Sequence, residues 1–357
     1  MTPSMVLRLP TGDDAAMTTP RDCVRLALDH RTPPWVPWSI SLTHQARVRL
    51  QQHVGTGVDL DRMIGNHIRS VGRAESFADV GGKRVRDRWN VVWNRSVDED
   101  IGVVEGVVLP EPDMRQLRVP DPAAADIYAG AAEALAAAPE LFRVFSLGFS
   151  LYERAWTLRG MEELMTDMIE RPEFVDALLD AICDWNVAVV TRALATLDID
   201  AVYFGDDWGA QRGLQMGPKR WRRFILPRLR RMYGAVRAAG KYQFIHSCGD
   251  VDECFPDLVD AGLSCFNPFQ PEVMDVATLM REWHGRLAFH GGLSTQQTLP
   301  HGTPAEVVAE TDALLAHGAK GGYVFSPAHA IEGDVPPGNM LAMLDRLHAQ
   351  PGFASRT

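Results

Sequence analysis

The sequence predicts an α/β fold, a TIM (β/α)8 barrel with an N-terminal helical extension and a β-hairpin insertion. Short apolar runs of strand length alternate with helical segments from residue 123 onward, which is typical of parallel βαβ units. Six such runs, one more near Trp35 and one uncertain strand make up the eight strands that a barrel needs. The 357 residues contain no repeat or low-complexity tract. An open parallel sheet is the alternative, because the alternation of strands and helices alone hardly distinguishes it from a barrel.

The composition is that of an ordinary globular protein, with 46% hydrophobic and 23% charged residues. A net charge of -10 argues against a nucleic-acid partner. No apolar run reaches the roughly 18 residues of a membrane span, and the N-terminus lacks a secretory leader. Five widely spaced cysteines do not form a disulfide framework. We therefore expect a reduced, cytoplasmic protein that binds neither nucleic acid nor membrane.

The N-terminal third is less regular. Residues 1–18 show no period of apolar residues that would indicate a helix or a strand. We interpret them as a loose leader before a single domain at 19–350. A helix is predicted to begin at residues 19–22, where a proline is tolerated in the first turn. Residues 35–40 could form a proline-limited strand. Residues 45–72 are predicted to be helical, with a break near Gly55 and Gly57.

Residues 84–109 predict a β-hairpin. Polar and apolar side chains alternate over 84–93, a polar stretch follows, and residues 102–109 alternate or run apolar. Because a hairpin does not belong to a βα repeat, we expect an insertion across one mouth of the barrel. Its exposed edges could be covered by a partner subunit, which makes a homodimer possible.

The later part of the chain follows a regular order. An alanine-rich helix is expected at 123–139, and one helical stretch at 160–197 has a break at Arg171 and Pro172. Strands are predicted at 142–147, 201–204, 242–245, 263–266, 286–289 and 322–325. Further helices are predicted around 219–239, 273–283 and 303–316.

Polar groups lie directly after each of five consecutive predicted strands. They lie in residues 205–211, 246–249, 267–270, 290–296 and 326–331. In a barrel these segments meet at one mouth, so the recurrence favours a functional site. Asp206 and Asp207 are candidate catalytic or orienting residues, although either could only cap a helix. The candidate substrate contacts are Trp208, Gln211, Asn267 and Gln296.

His246 and Cys248 are the candidate metal ligands with the clearest spacing. They are two residues apart at the end of an apolar run, so on an extended chain both side chains point to the same face. An imidazole beside a thiol suits zinc. The alternative is a buried cysteine beside a hydrogen-bonded histidine. The remaining cysteines are expected to be small buried hydrophobic residues, namely Cys23, Cys183, Cys254 and Cys265.

Five segments resemble those of the uroporphyrinogen decarboxylase superfamily, namely residues 205–209, 246–249, 291–296, 302–307 and 321–339. The resemblance is greatest to its zinc-dependent corrinoid methyltransferases, such as the methylcobamide:coenzyme M enzymes. It is strong over residues 140–347 and loose in the N-terminal third. It implies a TIM barrel and a zinc held by the His-x-Cys pair and a later cysteine. It also implies a thiol substrate, with a methylated corrinoid, on a partner protein, as the methyl donor.

Two departures from the family bear on the site. The later cysteine corresponds to His329, which would be a third metal ligand or, as in the decarboxylases, an acid–base group. The decarboxylases' Arg-Gln-Ala-Gly-Arg segment corresponds to residues 38–47, which hold one Arg, and their catalytic Asp is nearest to Asn66. We therefore expect zinc-dependent methyl transfer to a thiol. A decarboxylase or lyase acting on a small carboxylated substrate other than uroporphyrinogen is the alternative, and a non-catalytic binding barrel is a third.

Overall fold

The structure, a computed structural model, describes residues 18–72 and 76–353, so the predicted leader falls almost wholly outside the described residues. The strands are β1 (Ile68–Val71), β2 (Phe77–Gly81), β3 (Arg84–Asp87), β4 (Val92–Asn94), β5 (Val103–Glu105), β6 (Phe142–Leu147), β7 (Ala201–Gly205), β8 (Gly209–Ala210), β9 (Gly213–Leu214), β10 (Tyr242–His246), β11 (Cys265–Asn267), β12 (Ala288–Leu293) and β13 (Tyr323–Pro327). The helices are α1 (Pro20–Leu28), α2 (His44–Val54), α3 (Leu60–Ile64), α4 (Ala131–Ala136), α5 (Tyr152–Arg159), α6 (Met161–Glu170), α7 (Pro172–Thr196), α8 (Pro218–Arg220), α9 (Leu226–Ala238), α10 (Phe255–Ala261), α11 (Val276–Glu282), α12 (Thr298–His301), α13 (Pro304–Gly318) and α14 (Pro337–His348). The single-domain boundaries at 19–350 stay a prediction.

Seven parallel strands form the wall of the barrel, in the order β1-β6-β7-β10-β11-β12-β13. The segment around Trp38 lies between the first and the last of them. Trp38 forms a parallel bridge with Phe325 in β13, and its carbonyl oxygen accepts the backbone N–H of His67, beside β1, at 2.9 Å. Pro34 and Pro37 lack the N–H groups that a regular ladder would need. The segment therefore takes the place of the eighth strand, and the predicted TIM barrel is confirmed.

Every second side chain of a strand points into the barrel. Along the strands, these inward side chains change from apolar to polar. The apolar part, which α1 closes with Val24 and Leu28, contains Phe142, Val144, Ala201, Phe244, Cys265, Ala288 and Val324. The polar part, at the carboxyl ends, contains Ser146, Tyr203, His246, Asn267, His290 and Ser326. One end of the barrel is thus plugged by the predicted N-terminal helix, and the other presents polar groups.

The chain between β1 and β6 forms a separate antiparallel sheet, with strand order β2-β3-β4-β5. The predicted insertion is confirmed, but it is larger than a hairpin, and the first of its predicted strands is divided in two. Asp87 turns the chain after β3 by accepting the backbone N–H groups of Trp89 and Val91, each at 2.9 Å. The Trp93 ring packs at 4.7 Å from Phe149, which follows β6. The insertion therefore contacts the side of the barrel where strands end. The homodimer stays a prediction.

Asp87 also joins the insertion to the barrel. Its carboxylate accepts a hydrogen bond from Nη1 of Arg154, in α5, at 2.6 Å, and another from Nε1 of Trp93 at 3.2 Å. The Arg154 and Asp87 side chains are only 3% and 0% exposed. Removing one partner of such a pair would leave the other charge buried and unpaired.

Most predicted elements lie within a few residues of the observed ones, and the predicted break at Arg171 and Pro172 separates α6 from α7. The helix predicted over 45–72 is wrong at its end, where residues 68–71 form β1. Arg69 and Ser70 of this short strand are exposed, so β1 lacks the continuous apolar run by which the other barrel strands were recognised.

Candidate metal centre

Three potential ligand atoms converge at the carboxyl ends of β10 and β13. His246 is the last residue of β10, Cys248 lies in the following turn, and His329 lies in the loop after β13. Nε2 of His246 and Sγ of Cys248 are 3.3 Å apart. A ring nitrogen of His329 joins them, so that the three ligand atoms all lie within 4.8 Å of one another. The structure thus brings together the three residues predicted as metal ligands.

Asn267 fixes the orientation of His246. The Asn267 side-chain nitrogen donates to the His290 carbonyl oxygen at 2.8 Å, which turns its oxygen toward Nδ1 of His246 at 2.6 Å. The Tyr203 hydroxyl donates to the same oxygen at 2.7 Å. An acceptor at this position selects the Nδ1–H tautomer, because the ring must donate there. The lone pair on Nε2 is therefore directed toward Cys248, as a metal ligand requires.

The donor atoms and their spacing fit zinc. A tetrahedral zinc with nitrogen ligands at about 2.0–2.1 Å and sulfur at about 2.3 Å separates its ligand atoms by about 3.3–3.6 Å. The 3.3 Å between His246 and Cys248 meets that requirement. The ring nitrogen of His329 lies within 4.8 Å of both atoms, so it is at most about 1.5 Å from the spacing that zinc needs. Thiolate and imidazole are the ligand types that zinc prefers, and three protein ligands leave the fourth position open.

The protonation states of the metal-free site follow from burial. Burial and the neighbouring His246 lower the pKa of His329, which favours the neutral ring that a metal ligand needs. Burial raises the pKa of the Cys248 thiol well above its ordinary value, and the carboxyl groups of Asp207 and Glu153 raise it further. Metal binding would therefore displace a proton from Cys248.

Asp207 and two glycines hold the turn that carries Cys248. Oδ1 of Asp207 accepts the Cys248 backbone N–H at 2.8 Å and lies 3.6 Å from Nε2 of His246. A Cβ atom at Gly209 would lie 2.3 Å from the Cys248 carbonyl oxygen, and one at Gly249, whose φ is +84°, would lie 2.5 Å from the Gly209 backbone. The turns after β7 and β10 therefore touch backbone to backbone, which requires glycine on both sides.

Asp206, a predicted catalytic or orienting residue, is hydrogen-bonded to the protein backbone. It is 0% exposed, and it accepts the backbone N–H groups of Leu151 at 3.2 Å and Glu153 at 2.8 Å, where α5 begins. It also accepts the indole N–H of Trp208. Burial raises the pKa of Asp206 to about 6, against the opposing effect of these hydrogen bonds. The side chain of Asn267, rather than that of Asp206, is hydrogen-bonded to the ring of the candidate ligand His246.

Glu153, which sequence reasoning missed, belongs to the same neighbourhood. Burial raises the pKa of its carboxyl well above the ordinary value, and the charges of Asp207 and Asp206 raise it further. These effects favour the protonated form of Glu153. It lies six residues after β6. The rule that polar groups gather after barrel strands could have found it, had the segment after 142–147 been included.

A cavity of about 320 Å³ extends from the candidate ligands into the barrel. His246, Asn267 and His329 line it together with Ser146, Tyr203 and other residues of the polar part. Both ring nitrogens of His290 are buried there without a hydrogen-bond partner among the described residues. Burial lowers the pKa of His290 to about 4, so this ring is neutral.

Three predicted substrate contacts do not line this cavity. Trp208 is fully buried and packs against Trp221, with ring centroids 5.4 Å apart. Gln211 is exposed in the turn between β8 and β9, and Gln296 is exposed after β12. Of the predicted contacts, Asn267 alone is a lining residue of the cavity.

A second cavity, of about 770 Å³, lies near His67 and Phe353, at the end of the barrel away from the candidate ligands. Thr18 and Phe353, at the two limits of the described residues, are among the residues that line it. The other four cysteines are buried, as predicted. No helix within the described residues is long and apolar enough to cross a bilayer.

Curated relatives are similar at modest identity. The chain is 26% identical over 196 residues to a uroporphyrinogen decarboxylase from Rhodococcus jostii (strain RHA1), across 54% of this chain and 53% of that protein. The chain thus spans about half the length of that relative. It is 25% identical over 255 residues to a uroporphyrinogen decarboxylase from Methylococcus capsulatus, across 68% of this chain and 70% of that protein.

A solved structure and a family model complete the comparison. The fold is similar to that of a methyltransferase from Methanosarcina mazei, with a TM-score of 0.68 and 18% identity over 92% of this chain and 98% of that chain. At this identity the likeness concerns the fold. The model "Uroporphyrinogen decarboxylase (URO-D)" matches residues 97–350, which is well over half of the sequence. The chain belongs to the uroporphyrinogen decarboxylase family.

Proposed function

We propose that the chain is a zinc-dependent methyltransferase that moves a methyl group from a corrinoid or small-molecule donor to a thiol-type acceptor. The observation that carries the proposal is the convergence of His246, Cys248 and His329 within 4.8 Å at the mouth of the barrel. The hydrogen bond that orients His246 toward Cys248 supports a built metal site. The likeness in fold to a methyltransferase agrees with it.

Zinc at this site would bind a thiol substrate and lower its pKa, so that the sulfur is nucleophilic at neutral pH. In the transfer, a carbon–sulfur bond forms while the bond between the methyl group and its donor breaks, and the donor keeps the electron pair. The chain's own residues supply the orientation. Asn267 holds His246, and Asp207 holds the turn that carries Cys248. The donor would be presented at the open mouth, for example by a corrinoid protein.

The cavity does not suit uroporphyrinogen, which carries many carboxylates. No Arg or Lys occurs among the described residues that line it, whereas carboxylates are recognised best by bidentate guanidinium groups. Arg47, the single arginine of residues 38–47, pairs instead with Asp61 on the surface at 2.9 Å. The curated relatives' activity is therefore not our first proposal.

A decarboxylase or lyase acting on a small carboxylated substrate is the second candidate. It is favoured by Glu153, because a carboxyl whose pKa is raised by burial could donate a proton to a carbanion left by loss of carbon dioxide. His329 would then act as an acid–base group. The names of the curated relatives also agree with this reaction.

Product analysis distinguishes the two. Zinc-loaded protein is incubated with a methylated corrinoid and a thiol, and the methyl thioether is quantified. We expect turnover in the wild type, its loss in Cys248→Ala, and its retention in the matched variant Cys254→Ala, which removes a buried thiol outside the site. A parallel incubation with small carboxylic acids is monitored for carbon dioxide. Carbon dioxide release without thioether formation, unaffected by Cys248→Ala, would replace methyl transfer by the second candidate.

A further inference from the structure

The cavity beneath the candidate metal centre has a wall that indicates what kind of molecule it receives. His246 and His329 form part of that wall, so a ligand whose sulfur lies at the metal centre can place its body inside the barrel. Phe244 and Val144, which close the inner end, belong to the apolar part of the barrel. This inference rests on the proposed function, because it concerns the acceptor that the same site would take.

Hydroxyl groups dominate the polar surface of the cavity. Five serines line it, namely Ser39, Ser41, Ser70, Ser146 and Ser326. Ser70 and Ser146 face each other with their Oγ atoms 2.5 Å apart. Hydroxyls both donate and accept hydrogen bonds, so such a wall complements a ligand that does the same.

His290 adds an unused pair of hydrogen-bonding atoms. Both of its ring nitrogens are buried, and neither has a partner of good hydrogen-bond geometry among the described residues. The Ser39 backbone is close enough to oppose weakly the lowering of the His290 pKa. Buried polar atoms are normally hydrogen-bonded, and an unpaired one in a cavity is commonly satisfied by what binds there. A neutral imidazole offers one donor and one acceptor, which a ligand hydroxyl group can match.

Formal charge is missing from the wall. No Lys, Arg, Asp or Glu is among the described residues that line the cavity. An ion placed among serines and apolar side chains would lose its hydration without gaining a counter-charge. The volume of about 320 Å³ corresponds to roughly ten water molecules, which limits the ligand to a few carbon atoms.

We infer that the acceptor of this site is a small, uncharged thiol whose body carries hydroxyl groups, bound through His290 and the cavity serines. The sulfur would lie at the metal centre and the hydroxyl groups would lie among the serines. An acceptor with a carboxylate or sulfonate group would find no partner in the wall.

The test compares matched thiols as ligands of the cobalt-substituted protein. Thioglycerol and mercaptopropionate have equal numbers of non-hydrogen atoms but differ in charge, and mercaptoethanol and propanethiol differ in one hydroxyl group. Dissociation constants are read from the increase in cobalt–thiolate charge-transfer absorption. We expect thioglycerol to bind at least about tenfold more tightly than mercaptopropionate, and mercaptoethanol more tightly than propanethiol.

Two variants test whether the residues of the cavity wall cause the preference for hydroxylated thiols. His290→Leu should weaken thioglycerol by about tenfold and leave propanethiol unchanged, since only the former uses the ring nitrogens. Ser146→Val should weaken thioglycerol in the same way, which keeps the test valid if His290→Leu does not fold. Ser264→Ala is the control, because Ser264 lies before β11, outside the cavity lining.

The outcomes separate this inference from the proposed function. Failure of the protein to bind cobalt would overturn both. Cobalt binding with mercaptopropionate bound as tightly as thioglycerol would overturn the inference alone, as would unchanged thioglycerol affinity in both cavity variants.

Discussion

Replacing Asn267 by Leu tests whether this residue prepares His246 for metal binding. The two side chains have similar size, so the cavity wall keeps its shape while the acceptor for the Nδ1–H of His246, now 2.6 Å away, is lost. The lone pair on Nε2 would no longer be held toward Cys248. The Tyr203 hydroxyl and the His290 carbonyl would each lose a partner as well.

The expected magnitude follows from the role of such partners. Removing the residue that orients a ligating histidine weakens metal binding by about 10–100-fold, or about 1.4–2.7 kcal/mol. The lost hydrogen bonds should also lower the free energy of unfolding by about 1–3 kcal/mol. Asn267→Asp keeps an acceptor toward His246 and should bind zinc at least as tightly as the wild type.

Zinc affinity is measured by competition with a chromophoric chelator at fixed pH. Tyr203→Phe is the matched control, because it removes the other donor to the same Asn267 oxygen and leaves the contact with His246 in place. Its affinity should stay within about threefold of the wild type. Wild-type affinity in Asn267→Leu, with correct folding, would refute the role given to Asn267.

Three further predictions concern stability and the site's backbone. Asp87→Asn should destabilise the protein by about 3–5 kcal/mol in denaturant unfolding, because Arg154 would keep its charge in a buried position. Burial lowers the pKa of His67 to about 3, so below about pH 6.5 the unfolded chain takes up a proton that the folded chain does not. Between pH 7 and pH 5 this difference should lower the free energy of unfolding by about 2 kcal/mol. The His67→Gln variant should lack that loss. Gly209→Val should weaken zinc binding in the chelator assay, because its Cβ atom would meet the Cys248 carbonyl oxygen at 2.3 Å; unchanged affinity would show that the two turns can separate without cost.

The barrel was predictable because its strands are buried on both faces and appear as apolar runs. The short, half-exposed β1 has no such run, and the divided strand at Asp87 depends on hydrogen bonds within a turn that alternation does not reveal. Elements with a local signal were therefore recognised, and those set by side-chain contacts were not.

The site was predictable to the extent that strand ends meet at one mouth. His246, Cys248 and His329 follow from that rule together with the family resemblance. The inward-facing Tyr203 and His290 could have been found from the period of two along their strands. The position of Asp206 beneath α5 could not, because the backbone groups that donate to it there lie more than 50 residues away in the chain.

Zinc stoichiometry of the purified protein tests the central claim most directly. We expect about one zinc per chain in the wild type, retention in His329→Cys, and loss in Cys248→Ala and His329→Ala, with each variant still folded by circular dichroism. The cysteine variant should keep the metal because a thiolate is an equally good ligand. A full zinc complement in Cys248→Ala would contradict the metal centre, and one in His329→Ala would make His329 an acid–base group instead of a ligand.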